Sequence, residues 1–149
     1  MSNRILSYMG RLADDEIETI LLSTKKGEIG YRIIKLQIMS GRPFAESAEH
    51  VVKLFKDEDV ANAKLDGLVD FSDNRLLGVA IINNHSSGYQ DPSIPVIIFD
   101  QTIFNQDIYI THVDLQASEE CNYYLELEVI KLDESHAMVA TLKDIRNNS

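Results

Sequence analysis

The chain of 149 residues has a single cysteine, no run of apolar residues long enough to cross a membrane, and few cations in its second half. One cysteine, Cys121, cannot form an internal disulfide, so the fold depends on its core. Because Cys121 opens an apolar segment, we favour a packing role over a nucleophile. A membrane-spanning helix needs about 20 apolar residues, and Met1–Gly10 lacks the features of a signal peptide. We expect a protein made in the cytoplasm that does not enter a membrane.

The cations are unevenly distributed. No Lys or Arg lies between Arg75 and Lys131, and residues 76–149 hold three Lys/Arg against eleven Asp/Glu, in a chain of formal net charge −10. Such a surface repels a phosphate backbone, so we expect no direct binding of nucleic acid. The length fits one domain with a substantial core. The prediction is a single β-rich domain over residues 1–149.

The strongest structural pattern lies in Asn122–Leu132. Apolar side chains alternate there with polar ones, and a period of two is typical of a strand with one buried and one wet face. The predicted core positions are Tyr123, Leu125, Leu127 and Val129, and the predicted wet positions are Tyr124, Glu126 and Glu128. Apolar runs at Ile108–Val113 and Ala137–Leu142 flank this segment across short polar connections. The pattern therefore predicts a three-strand meander.

Further strands are predicted at residues 28–39, 51–56, 65–71, 75–82 and 96–99. In the first of these, Ile34, Leu36 and Ile38 are expected to face one way. Residues 51–56 also fit a helical stripe, but their β-branched content favours a strand. The last, Val96–Phe99, is predicted to be buried, and Asp57–Lys64 is predicted to be a polar connection.

One helix is predicted, at Leu12–Ser23. Acidic residues crowd its first turns, where the helix dipole favours anions, and apolar residues follow on one face. Residues 1–10 are predicted to be an N-terminal arm or a first edge strand. Residues 83–95 are predicted to form a long polar loop, typical of binding loops and assembly arms. The predicted fold is mainly β, an antiparallel β-sandwich or barrel with one short N-terminal α-helix.

Catalytic and metal-binding motifs are scarce. The four histidines are His50, His85, His112 and His136. Their positions lack the short spacings of a zinc site, so we predict no metal and no cofactor. His112 and Asp114 share one face of a strand and could form a catalytic dyad, although a half-exposed strand has the same pattern. Asp70–Asn74 begins like a calcium loop, but the twelfth position is Ile81 and not Glu, which favours a turn held by Asx hydrogen bonds.

Several segments together resemble small structural proteins of tailed bacteriophage virions. They are Val96–Asp100, Phe104–His112, Cys121–Glu128, Ala140–Arg146, Ile5–Arg11 and Glu49–Phe55. The resemblance implies a non-enzymatic virion component, such as a capsid decoration or accessory protein or a part of the neck, tail or baseplate. It also implies that the partners are other copies of the chain and other virion proteins.

Contact residues are predicted among exposed tyrosines and acids. Tyr124, Glu126 and Glu128 lie on the wet face of the central strand in a region without cations, Tyr8 lies in the N-terminal segment, and Tyr89 lies in the long loop. An alternative function is an acidic β-domain that binds a basic protein or a carbohydrate through loop 83–95. A third is an enzyme built around His112 and Asp114.

Overall fold

The computed structural model describes residues 4–22, 28–43, 47–84, 95–99 and 101–131, and the bounds below refer to these. The described chain is mainly β, as predicted, with one short helix. In chain order its elements are β1 (Ile5–Leu12), β2 (Glu16–Ile20), β3 (Ile29–Ser40), β4 (Ala48–Phe55), α1 (Glu58–Ala63), β5 (Leu76–Asn84), β6 (Val96–Ile98), β7 (Ile108–Asp114) and β8 (Cys121–Lys131). No helix among these residues is long and apolar enough to cross a membrane.

The strands form two antiparallel sheets. The three-stranded sheet has the order β1-β8-β3, and the five-stranded sheet has the order β2-β7-β4-β5-β6. Side chains from both sheets form one hydrophobic cluster, to which β8 contributes Leu125 and Leu127 and β4 contributes Val52 and Leu54, all four fully buried. We call the face that each sheet turns towards this cluster its inner face and the opposite face its outer face.

Strand β8 confirms the predicted alternation. Its burial alternates along the strand, with Tyr123, Leu125 and Leu127 buried and the residues between them half-buried. The predicted meander is wrong, however, because β7 and β8 belong to different sheets. The connection after Asp114 crosses from one sheet to the other, and β8 pairs with β1 and β3 instead. The predicted third strand, Ala137–Leu142, lies outside the described residues.

The predicted N-terminal helix at Leu12–Ser23 is wrong. Strand β1 ends at Leu12, and the chain turns a corner at Asp15, whose φ of 60° cannot continue a helix, before β2 enters the other sheet. The acids in this segment stabilise the corner. Glu16 accepts a hydrogen bond from Ala13 N at 2.6 Å, and Asp14 accepts one from Asp114 N at 2.8 Å. Residues 5–12 form an edge strand, one of the two predicted alternatives for the N-terminal segment.

The helix lies instead at Glu58–Ala63, in the segment predicted to be a polar connection. Asp57 caps it by accepting a hydrogen bond from Val60 N at 3.1 Å, and two acids occupy its first turn. Its buried side chains, Val60 and Ala61, pack in a second cluster with Phe55, Leu76 and Val79. This helix is too short to show an apolar periodicity in the sequence, so burial against the sheet stabilises it.

The predicted strand at Leu65–Phe71 is also wrong, because this segment has no strand pairing among the described residues. It is held instead by Lys53, whose ammonium donates hydrogen bonds to the carbonyl oxygens of Lys64 at 2.7 Å and Leu68 at 2.8 Å. The following turn confirms the Asx interpretation, since Asp70 Oδ1 accepts from Ser72 N at 3.0 Å.

The remaining strands agree with the sequence in position but not always in orientation. The prediction of strands at residues 51–56 and 75–82 is confirmed by β4 and β5. In β3 a bulge between Ile33 and Lys35 shifts the alternation, so Ile34 is exposed while Leu36 and Ile38 are buried. Strand β6 lies at the edge of its sheet and is half-exposed, so the prediction that it is buried is wrong.

Candidate functional site

Three of the predicted contact residues share the outer face of the three-stranded sheet. Tyr124, Glu126 and Glu128 alternate with the buried side chains of β8. The Tyr124 hydroxyl donates a hydrogen bond to Glu126 Oε2 at 2.8 Å, which raises the pKa of the tyrosine. Strand β8 lies between β1 and β3, and the hydrogen bonds to both strands fix the backbone of these residues. Their side chains therefore start from fixed positions on the face.

Exposed methionines lie on the strands at either side of Tyr124. The strand register places Met9 of β1 opposite Tyr124 and Met39 of β3 opposite Asn122. Met9 is 71% exposed and Met39 is 61% exposed, and Ile5 at the other end of β1 is exposed as well. Methionine adapts its shape to different apolar surfaces. We call the surface that these residues form with the charged residues of the same sheet face the outer contact face. Its members are Ile5, Met9, Arg32, Lys35, Met39, Tyr124, Glu126 and Glu128.

The expectation of a region without cations is wrong for this face. Strand pairing places Arg32 opposite Glu128 and Lys35 opposite Glu126, and the Arg32 guanidinium donates to Glu128 Oε1 at 2.8 Å. The cations come from β3, about 90 residues before the acids in the chain, so composition along the sequence does not reveal them. The outer contact face therefore has both signs of charge.

The other two predicted contact residues do not join this surface. Tyr8 pairs with Leu125, on the inner face of β1, and packs half-buried against the core. Burial raises its pKa. Tyr89 and most of loop 83–95 lie outside the described residues.

A group of titratable side chains lies at one end of the core, between the sheets. It consists of His50 from β4, His112 from β7 and Cys121 from β8, and all three residues are fully buried. One potential ligand atom from each residue lies within 4.8 Å of the other two. Ser40 of β3, which pairs with Cys121, adds a hydroxyl beside them.

The two imidazoles are joined in a hydrogen-bonded chain. His112 Nδ1 donates to the carbonyl oxygen of Ala13 at 2.8 Å, which leaves its Nε2 as an acceptor in the neutral ring. His50 Nδ1 lies 2.8 Å from that Nε2 and donates to it, while His50 Nε2 lies 3.0 Å from Ser40 Oγ and accepts from the hydroxyl. Burial, followed by the nearby His112, lowers the pKa of His50 to about 4, so its ring is neutral at neutral pH.

The surroundings of Cys121 and Asp114 do not suit catalysis. Burial raises the pKa of the Cys121 thiol to about 12, so the free thiol is a poor nucleophile. Asp114 lies on the inner face with His112, but His112 Nδ1 bonds to Ala13 instead. The Asp114 carboxylate accepts from the backbone N–H groups of Glu49, Gln116 and Glu119 at 2.7–3.0 Å. Burial opposes the charge of Asp114, but these bonds outweigh it and lower its pKa.

The sequence did not reveal this cluster, because its members come from three strands of two sheets. A usable signal was present in the spacing of these residues. His50 is two positions before Val52, and Cys121 is two positions before Tyr123, so each lies on the strand face that the pattern assigns to the core. A histidine at a core position of a strand requires buried hydrogen-bond partners. No model of a known protein family and no curated protein matches this chain.

Proposed function

We propose that this chain is a non-enzymatic structural protein that assembles by protein–protein contact, with its two sheets stacked as an antiparallel β-sandwich and the outer contact face as its docking surface. The observation that carries the proposal is the exposure of Met9 and Met39 beside Tyr124 on paired strands. Side chains on a rigid backbone lose less conformational freedom on binding than side chains on loops. Exposed apolar and aromatic residues grouped in this way are typical of protein interfaces.

The occupant that we propose for this face is a second copy of the chain. Arg32 and Lys35 form one side of the face, and Glu126 and Glu128 form its centre. When a two-fold axis runs between these two rows, the row of cations on each copy faces the row of acids on the other copy. The mixed charge makes such pairing feasible despite a net charge of −10.

The setting that we propose is a phage particle. The resemblance to small structural proteins of tailed phage virions supports it, and implies a capsid decoration or accessory protein or a neck or tail component. Other copies and other virion proteins would then be the partners, and the protein would be found in the virion. The full burial of His50, His112 and Cys121, which keeps them from substrates, supports a non-enzymatic role.

Self-association is tested by sedimentation velocity over a hundredfold range of concentration. We expect the wild-type chain to form a larger species as concentration rises. The double substitution Met9→Lys and Met39→Lys should weaken association at least about tenfold, which equals about 1.4 kcal/mol. Leu68→Lys is the matched control, since Leu68 is 65% exposed but lies outside the three-stranded sheet. A wild-type chain that stays monomeric would overturn the proposed contact.

The virion setting needs a separate test. Particles from cultures that carry the gene are purified on a density gradient and analysed by quantitative mass spectrometry. The chain should co-purify with the capsid proteins at a constant ratio across the particle peak. Its absence from the peak would overturn the virion setting, whatever the association state of the purified protein.

A further inference from the structure

The buried cluster of His50, His112 and Cys121 has the donor set of a transition-metal site. It offers two imidazole nitrogens and one sulfur, a combination that selects thiophilic ions such as Zn²⁺ and Cu⁺. Both sheets contribute to it, since β4 and β7 supply the imidazoles and β8 supplies the thiol.

The distances are close to those that a metal requires. Metal–ligand distances of about 2.0–2.1 Å to nitrogen and about 2.3 Å to sulfur separate tetrahedral ligand atoms by about 3.3–3.6 Å. The two imidazole nitrogens lie 2.8 Å apart, and all three ligand atoms lie within 4.8 Å of one another. Metal binding therefore requires the two nitrogens to separate by about 0.5 Å and the sulfur to lie within about 3.6 Å of both.

Each imidazole has a neighbouring oxygen that can serve as partner for its second ring nitrogen when the other binds a metal. A metal-bound histidine usually donates its second ring N–H to a carbonyl, carboxylate or water. His112 already donates from Nδ1 to the Ala13 carbonyl, so its Nε2 points into the cluster. His50 Nε2 lies 3.0 Å from Ser40 Oγ, and the hydroxyl can accept as well as donate. When Ser40 accepts, His50 Nδ1 becomes a free ligand 2.8 Å from His112 Nε2.

We propose that His50, His112 and Cys121 supply three ligands to one thiophilic transition-metal ion, Zn²⁺ or Cu⁺, that joins the two sheets at this end of the core. Binding of the ion forms a metal–sulfur bond and releases the Cys121 thiol proton to solvent. The proton of His50 moves from Nδ1 to Nε2, where Ser40 accepts it in a hydrogen bond, so the imidazoles release no proton.

The test uses the unmodified chain of 149 residues and does not depend on any variant. The protein is unfolded in denaturant with a chelator to remove bound metal, and the chelator is then removed. It is refolded with increasing Co²⁺, a spectroscopic substitute for Zn²⁺. Because Cys121 is the single cysteine, a thiolate-to-cobalt charge-transfer band can come from no other residue. We expect the band to saturate at one Co²⁺ per chain and to disappear on addition of Zn²⁺. Titration in buffers of different ionisation enthalpy should detect release of about one proton per metal.

Two variants and a reactivity measurement sharpen the result. Cys121→Ser should abolish the band, whereas Ser40→Ala should keep it and weaken binding about 10–100-fold. If Cys121→Ser does not fold, the wild-type thiol itself reports binding, since Zn²⁺ or Cu⁺ should slow its alkylation in mild denaturant at least tenfold. Protection by Cu⁺ alone would assign the site to that ion. Absence of both the band and the protection would overturn the proposal and leave the cluster as a hydrogen-bonded imidazole pair.

Discussion

The outer faces of the two sheets differ. On the five-stranded sheet, Phe55 and Val79 are covered by α1, and Lys53 is buried beneath the segment that follows the helix. On the three-stranded sheet, Met9 and Met39 are exposed on either side of β8 in the described part of the chain. Among the described residues, the first sheet is therefore covered on its outer face at β4 and β5, and the second has exposed side chains on its outer face.

The two central strands show the reason for this difference. In β4 every residue from His50 to Phe55 is buried, including Lys53, so both faces need cover. In β8 the residues alternate between buried and half-buried, and one face tolerates water. The number of covered faces follows from the residue pattern of the strand, as it does in sheets generally. Substitutions on the two outer faces should consequently have very different effects on stability.

The largest effect is expected for Phe55→Ala, on the covered face. Removing a fully buried phenylalanine ring from the cluster beneath α1 should lower the free energy of unfolding by about 3–5 kcal/mol. Urea denaturation followed by circular dichroism measures the change. A loss below about 1 kcal/mol would show that α1 does not cover this face tightly.

Lys53→Met should have the next largest effect. The substitution keeps the apolar stem but leaves the carbonyl oxygens of Lys64 and Leu68 without their donor, which should cost about 2–3 kcal/mol. Lys35→Met on the outer contact face is the matched control and should change stability by no more than about 0.5 kcal/mol. Equal losses in the two variants would contradict the difference between the faces.

The free energy of unfolding should depend on pH through Asp73, which follows α1 in the chain. Burial opposes its charge, but hydrogen bonds from Arg75 and Lys64 outweigh this and lower its pKa to about 2. Because the folded pKa lies below the unfolded value, the stabilisation is complete above about pH 4 and disappears as the pH falls through 2. It amounts to about 2 kcal/mol.

The matched variant for this prediction is Asp73→Asn, which cannot ionise. Unfolding free energies of the two proteins, measured between pH 2 and pH 6, should converge at the acid end and differ most above pH 4. Parallel curves over the whole range would show that Asp73 does not contribute this pH dependence.

The smallest effect on stability is expected for Tyr124→Ala. On the outer contact face the substitution removes the ring that the strand register places opposite Met9 and the hydrogen bond to Glu126, worth together no more than about 1 kcal/mol. Self-association measured by sedimentation should nevertheless weaken. A loss of stability above about 2 kcal/mol, with unchanged association, would mean that Tyr124 serves the fold and not contact.

Much of the strand content was predictable from sequence, and the pairing was not. The alternation in β8 identifies a strand with one wet face, but it does not state which strands lie beside it. The pairing of β8 with β1 and β3 places residues about 80 to 120 positions apart side by side. For the same reason Arg32 and Lys35 could not be placed next to Glu128 and Glu126 from composition.

The errors in helix position have a local cause. Acids and apolar residues at Leu12–Ile20 match a helix start as well as they match a corner, and only the contacts of Asp14 and Glu16 with distant or neighbouring backbone decide between them. The six residues of α1 are stabilised by packing, which a short sequence window does not contain. The histidine cluster was missed because sequence spacing detects metal ligands on one element and not ligands on three strands.

Oxidation of Met9 and Met39 tests the proposed assembly of the chain through the outer contact face. Dilute protein and concentrated, associated protein are treated briefly with hydrogen peroxide, and sulfoxide at Met9 and Met39 is measured by mass spectrometry. Both methionines should oxidise rapidly in the dilute sample and at least about tenfold more slowly after association, because contact buries their exposed thioethers. Equal oxidation rates in a dilute monomer and a demonstrated oligomer would contradict assembly through this face.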